Sequence, residues 1–259
     1  MGSLQDKRAL ITGGANGLGG VISLELAKRG AKIAVHWFQH RPDQNTAQDV
    51  AALREQVKVL GGEMVDVSGD LTDEATVKNV VQSAAAGLGG LDILVNNVGD
   101  LLGRRTLGEM ELSFFNKVMN VNVNTMFLVT REALPYLVKA NGAAIVNLAS
   151  LAGRKGGHGG SLAYSTAKGA VISFTRSLSS EAGPQGVRVN CIAPGLILGT
   201  YFHQTHTTYE SAQKTISEIP LKRAGNPQDI AEAVAFLVSQ YDGFITGVTL
   251  DVNGGVYMA

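Results

Sequence analysis

The stretch "KRALITGGANGLGG" (7–20) joins a short apolar run to a cluster of glycines, and how it is read decides the fold. "KRALIT" has the length and composition of a buried strand, whereas residues 17 to 29 carry apolar side chains at helical spacing. The glycines at 13, 14, 17, 19 and 20 fall between the two. Glycine lets such a turn take positive φ and lets a phosphate group approach the backbone, while the following helix offers free N–H groups and the positive end of its dipole. A merely tight strand-to-helix turn would use the same residues, so the rest of the chain must decide between the two readings.

Working outward, the alternation continues to the C-terminus. "AKIAVHW", "EMVDVS", "LDILVNN", "AAIVNLAS", "VRVNCIAPG" and "GVTLDV" are further strand candidates. Helical periodicity occupies 43 to 60, 73 to 87, 109 to 138, 163 to 182 and 227 to 239. Strands alternating with helices predict an α/β fold, a Rossmann-type doubly wound domain of about seven parallel strands with helices on both faces. The near-continuous apolar strands fit a sheet covered on both sides. Asn226 before Pro227 predicts a helix N-cap. No linker, charge block or repeat divides the chain, so residues 1–259 are expected to form a single domain. Two irregular segments, "RKGGHGGS" (154–161) and about 196–220, follow strand ends where such sheets bind ligands; the second is the expected substrate loop.

Composition narrows the function classes. Lysine plus arginine and aspartate plus glutamate each total 22, so the chain lacks the basic footprint of a nucleic-acid binder. No apolar run approaches the ~18 residues of a membrane span, and no signal-peptide core opens the sequence. The single cysteine, Cys191, excludes an internal disulfide and points to a reducing compartment. A cytoplasmic protein that binds neither nucleic acid nor membrane is expected.

"SLAYSTAKGAV" (161–171) places Tyr164 and Lys168 four residues apart, on one face of a helix. An ammonium beside a phenol stabilises the phenolate and lowers its pKa from ~10, making a usable general acid or base. An ordinary amphipathic helix with an exposed lysine would show the same pair.

Six ordered motifs resolve these alternatives together. "TGGANGLG" (12–19) has the form TGxxxGxG, and "NNVG" (96–99) resembles NNAG. "VMNVNV" contains Asn122, "VNLASLAG" contains Ser150, "YSTAK" has the form YxxxK, and "IAPG" (192–195) is a proline-glycine turn. In these the chain resembles the short-chain dehydrogenase/reductase family over essentially its whole length. The resemblance implies an enzyme that interconverts a carbonyl and a secondary alcohol of a small molecule with a nicotinamide cofactor. Tyr164 would donate or accept the substrate proton, and Lys168 would lower its pKa and bond the nicotinamide ribose. Ser150 would bond the substrate oxygen, and Asn122 would hold a water linking Lys168 to solvent. Gly13, Asn16, Gly17, Leu18 and Gly19 would cradle the cofactor phosphates, with Asp70 and Leu71 flanking the adenine. Asn97, Val98 and Gly99 would line the cofactor, and Pro194, Gly195 and Ile197 would face the nicotinamide. A homotetramer is implied as well.

The sequence also departs from the family pattern. Val98 replaces the usual alanine. The threonine that follows Pro-Gly at a fixed distance falls at Gly199, with Thr200 one residue late, and Ser150 and Tyr164 are one residue further apart than in the family. At the end of the second strand, where a carboxylate selects NAD by bonding the ribose 2′-hydroxyl, the residue is Trp37. The following position is Phe38, not arginine. His36, His40 and Arg41 are close enough in sequence to meet a 2′-phosphate, so NADP(H) is expected over NAD(H), which stays possible. His158, His203 and His206 lack the spacing of a zinc set, and no metal is expected. An acyl-carrier-protein-linked 3-ketoacyl reductase and a non-catalytic nucleotide-binding sensor are the alternatives on the same fold.

Overall fold

The structure is a computed structural model that describes residues 4–39, 46–239 and 243–259. All seven expected strands form: β1 (Arg8–Ile11), β2 (Lys32–Trp37), β3 (Met64–Ser68), β4 (Ile93–Asn96), β5 (Ala143–Leu148), β6 (Val187–Pro194) and β7 (Thr249–Val252). They make one sheet in the order β3-β2-β1-β4-β5-β6-β7, every neighbouring pair parallel. The order reverses between β1 and β4, and this switch point opens a crevice at the carboxyl ends of the strands.

Side chains alternate across the pleat, which explains why the strands are apolar throughout. Ala9 and Ile11 of β1 pack on one face with α1 (Gly17–Lys28), α2 (Thr46–Val59) and α10 (Pro227–Val238). Leu10, between them, packs on the other face with α3 (Glu74–Leu88), α5 (Thr125–Leu137) and α7 (Leu162–Ala182). The predicted cap of α10 is present and reciprocal: Asn226 Oδ1 accepts from the Asp229 N–H at 3.1 Å, and Asp229 Oδ2 accepts from the Asn226 N–H at 2.8 Å.

The pattern read as one helix over 109–138 is broken in the structure. A 3₁₀ turn (Leu107–Glu109) and α4 (Leu112–Met119) precede a π-helical turn (Asn120–Asn124), which leads into α5. Apolar residues recur at near-helical spacing on both sides of the π turn, so periodicity alone does not mark the break. Between β4 and β5 a buried polar ladder ties the sheet to its helices. Asn96 Nδ2 donates to Asn147 Oδ1 (2.8 Å) and to Thr130 Oγ1 of α5 (2.9 Å), and Asn147 Nδ2 donates to Thr175 Oγ1 of α7 (2.9 Å). Hydrogen bonds of this kind are directional, so they set the rotation of both helices where apolar packing would tolerate a small slip.

Candidate active site

The glycine-rich turn after β1 is held from two sides. Gly13 adopts φ +60°, and its N–H donates to His36 Nδ1 at 3.1 Å. Thr12 Oγ1 accepts from the N–H groups of Asn97 (2.9 Å) and Val98 (3.2 Å), and Asn97 Nδ2 donates back to the carbonyls of Thr12 and Gly13. Asn97 and Val98 thus brace the turn. Asn16 stands at the N-cap of α1 but does not cap it; its amide instead donates to Asp49 Oδ2 of α2 at 2.8 Å. The first turn of α1 also carries no acidic side chain. Its N–H groups and dipole therefore face the crevice without a protein anion, as a pyrophosphate requires.

His36 differs from its sequence expectation. Nδ1 accepts from Gly13, which makes Nε2 the protonated nitrogen, and Nε2–H donates to the Gly69 carbonyl at 2.9 Å. Burial pushes its pKa down to about 4, against the upward pull of the Gly69 bond. The ring is neutral, buried and fully engaged, so it braces the turn and supplies no charge to a phosphate. A testable consequence concerns acid stability. Because the unfolded chain takes up the proton near pH 6.5 and the folded one only near 4, stability is complete above 6.5 and falls as pH drops through that window. The loss should reach about 2 kcal/mol by pH 5. Thermal melts at pH 7 and pH 5 should show it, and His36→Gln should flatten the difference; equal slopes in both proteins would remove His36 as the cause.

The other residues expected at the adenosine end are placed as follows. Trp37 is half-buried, and its indole N–H donates to Asp66 Oδ2 at 3.0 Å; the other oxygen of Asp66 accepts from Arg54. Phe38 is exposed. Asp70 Oδ1 accepts from the backbone and hydroxyl of Thr72, closing a turn, and Leu71 is buried in the core beside α3. His40 and Arg41 lie outside the described residues.

Across the crevice, Ser150 caps the short helix α6 (Leu151–Lys155), its Oγ accepting from the Ala152 N–H, and it lines the same cleft as Tyr164. The one-residue-longer spacing is absorbed between them, where Gly156 and Gly160 both adopt positive φ. Lys168 is buried, and its ammonium donates to the Leu148 carbonyl at 2.8 Å, 5.6 Å from the centre of the Tyr164 ring. Burial lowers Lys168 to about 8. Burial also raises the Tyr164 phenol above its ordinary value; the polar Ser150 hydroxyl opposes this and the charge of Asp100 adds to it. The expected lowering by Lys168 is not the dominant influence here, because the low-dielectric surroundings penalise the phenolate more.

Asn122 sits in the π turn. Its amide donates to the carbonyls of Asp100 (2.7 Å) and Val118 (2.9 Å), and its buried Oδ1 has no partner. Gly99 keeps the space between Asn122 and Lys168: a Cβ there would lie 2.6 Å from Asn122 Oδ1 and 2.7 Å from Lys168 Nζ.

The expected substrate loop folds into two helices, α8 (Tyr201–His206) and α9 (Tyr209–Glu218). Thr200 is not open toward the crevice as a donor, because its hydroxyl donates to the Ile197 carbonyl and caps α8. His203 is neutral, pushed down to about 4 by burial and by His206 beside it; Nε2 accepts from the Ile197 N–H, and Nδ1 pairs with Thr207 Oγ1. His158, by contrast, is exposed.

A cleft of about 270 Å³ gathers thirteen of the expected residues: Gly13, Asn16, Gly17, Leu18, Gly19, Asn97, Gly99, Ser150, Tyr164, Lys168, Pro194, Gly195 and Ile197. His36, Trp37, Phe38, Asp70, Leu71, Val98 and Asn122 do not line it. Asp100, which follows the NNVG motif and meets His206 of α8, escaped the sequence reading because no motif includes it.

A crevice at the switch point, an anion-ready helix start and a Ser-Tyr-Lys group lining the cleft define a nicotinamide-dependent oxidoreductase of the α/β class. The chain belongs to the short-chain dehydrogenase/reductase family and is an NAD(P)-dependent oxidoreductase. A family model described as enoyl-(acyl carrier protein) reductase matches residues 13–257. Nodulation protein G of Azospirillum brasilense is 35% identical over 254 residues, covering 98% of this chain and 99% of that protein. The 3-oxoacyl-[acyl-carrier-protein] reductase FabG of Staphylococcus aureus is 32% identical over 97% of this chain and 98% of its own. A short chain dehydrogenase from Burkholderia cenocepacia, solved in complex with NADP, superposes with a TM-score of 0.88 at 30% identity, covering 98% of this chain and 99% of that one.

Proposed function

We propose that this single-domain protein interconverts a carbonyl and a secondary alcohol of a free small molecule, with Tyr164 as general acid and base. The observation that carries the reading is that Ser150, Tyr164 and Lys168 line the same cleft as the uncapped start of α1. Bound there, the nicotinamide supplies or accepts the hydride. The protein's part is the proton. Because burial keeps the phenol protonated, Tyr164 is set to donate to the oxygen of a carbonyl being reduced. Ser150 offers a second polar contact to that oxygen. Lys168, with a pKa near 8, and the unpartnered Oδ1 of Asn122 across Gly99 provide groups through which the proton is replaced.

The glycine cradle fits a dinucleotide, since Gly19 admits no side chain and α1 opens onto the cleft. NADP(H) is the proposed preference. No carboxylate stands at Trp37 to repel a 2′-phosphate, and both oxygens of neighbouring Asp66 are engaged by Trp37 and Arg54. His36 no longer contributes to that argument. Screening ketones, aldehydes and alcohols with both cofactors tests the activity, and the kcat/KM ratio on one substrate tests the preference. A clear advantage for NAD(H) would refute the preference without touching the reaction.

The carrier-protein-linked reading draws on the FabG relative. An acidic carrier needs basic residues at the mouth of the site, and the helix ends "LVKANGA" (137–143) and "SLSSEAGPQG" (177–186) offer few. A free substrate is therefore preferred. A purely sensory role is disfavoured by the intact set of Asn122, Ser150, Tyr164 and Lys168. Association as a homotetramer is part of the proposal. Phe127 and Leu162 are exposed on α5 and α7, and Phe236, Phe244 and Met258 are exposed on α10 and after it, supplying apolar surface on separate elements. Light scattering should give four times the chain mass at micromolar concentration, and a monomer would sink this part. The free, buried Cys191 suits a reducing, cytoplasmic setting, and among the described residues no helix is long and apolar enough to cross a membrane.

A further inference from the structure

The helix α8 covers the cleft through side chains that no family motif contains. His206 Nε2 lies 3.1 Å from Asp100 Oδ1, joining the lid to the segment that leaves β4. From α8 itself, Phe202 packs against the site. Its ring centre is 5.8 Å from that of Tyr164 in a tilted stack, and it meets the rings of His203 and His206 nearly edge-on at 5.1 and 5.0 Å. His203 anchors the root of the helix through Ile197 and Thr207, while His206 anchors its far end to Asp100. Asp100 is itself held in place: its Oδ1 accepts from the Leu101 N–H, and its carbonyl accepts from Asn122.

We propose that the Asp100–His206 pair is a clasp that determines substrate size, with His206 a positioning residue that seats Phe202 against Tyr164. An aromatic ring packed against the ring of the reacting tyrosine leaves room for a compact carbonyl compound and obstructs a long or branched substituent. A bulky substrate must first lift α8, which the clasp opposes. Substrate selection by the clasp rests on the carbonyl-reducing function proposed above; the clasp itself does not.

Two measurements test it. Hydrogen exchange read by mass spectrometry on the cofactor-free protein should show the amides of Tyr201–His206 exchanging about tenfold faster in His206→Ala than in wild type, with β4 and β5 unchanged. His206→Gln, which retains a side-chain donor for Asp100, should restore most of the protection. On the unbranched methyl ketones from 2-butanone to 2-decanone, the ratio of kcat/KM for the longest to that for the shortest should rise about tenfold in His206→Ala, carried mainly by KM, and return toward wild type in His206→Gln. Unchanged exchange in α8 overturns the clasp, as does equal acceleration in β4 and β5, which would mean general loosening. Faster exchange with an unchanged ketone ratio overturns size selection. If wild type reduces no carbonyl compound at all, the proposed reaction fails, and the exchange experiment still decides the clasp.

Discussion

Tyr164→Phe should lower turnover by about 10²–10⁴-fold while leaving cofactor affinity close to that of the wild type. The substitution keeps the ring that packs 5.8 Å from Phe202 and beside the Val118, Ala163 and Ala167 cluster, so the wall of the cleft survives. Only the hydroxyl is lost, and with it the proposed proton donor. A loss of that size corresponds to about 3–5 kcal/mol in the activation barrier, more than one neutral hydrogen bond contributes to binding. Single-turnover measurement with a substrate found in the screen separates the two quantities. A variant with near wild-type kcat would remove Tyr164 from the proton transfer, and one that failed to bind cofactor would show that the hydroxyl holds the cradle together.

Gly19→Ala should damage the cofactor site more than any other single methyl group added to the turn. A Cβ at Gly19 would sit 2.0 Å from the Gly13 carbonyl oxygen and 2.7 Å from Asn97 Nδ2. Neither neighbour is free to retreat. Gly13 is held at positive φ by His36, and Asn97 is bonded to both carbonyls of the turn. The turn must therefore move as a body away from α1, opening the phosphate cradle. Overpacking of this kind costs about 1–3 kcal/mol, which predicts a fall in cofactor affinity of roughly 5- to 150-fold if the strain is relieved on the cradle. Titration calorimetry with each cofactor reads the effect. Gly183→Ala is the control, since nothing lies within 4 Å of a Cβ there. Unaltered affinity in Gly19→Ala would show that the turn yields without disturbing the cradle.

The seven strands and their parallel arrangement were legible because alternation of short apolar runs with 3.6-residue periodicity records which surfaces the chain buries, and burial on both faces demands apolar residues at every strand position. The candidate catalytic group was legible for a different reason. Its members must bring particular functional groups to one point, so residue type at Asn122, Ser150, Tyr164 and Lys168 is visible in the chain even though their separation in space is not. Gly19 was legible too, as a member of the glycine-rich turn, whereas its close approach to the Gly13 carbonyl was not.

What tertiary structure alone decided is what each polar atom bonds to. His36 read as a donor or charge for a phosphate and is a neutral brace, because desolvation and the Gly13 and Gly69 bonds depend on strands distant in sequence. The Tyr164 phenol read as lowered by its lysine and is raised, since the penalty for an ion is set by everything packed around it and not by the neighbour four residues away. Asp100 and His206 stand 106 positions apart and meet only because β4 and the segment after β6 both end at the same edge of the crevice. Sequence periodicity reports which side of an element is buried; hydrogen-bond partners and dielectric surroundings are set only when the elements are docked.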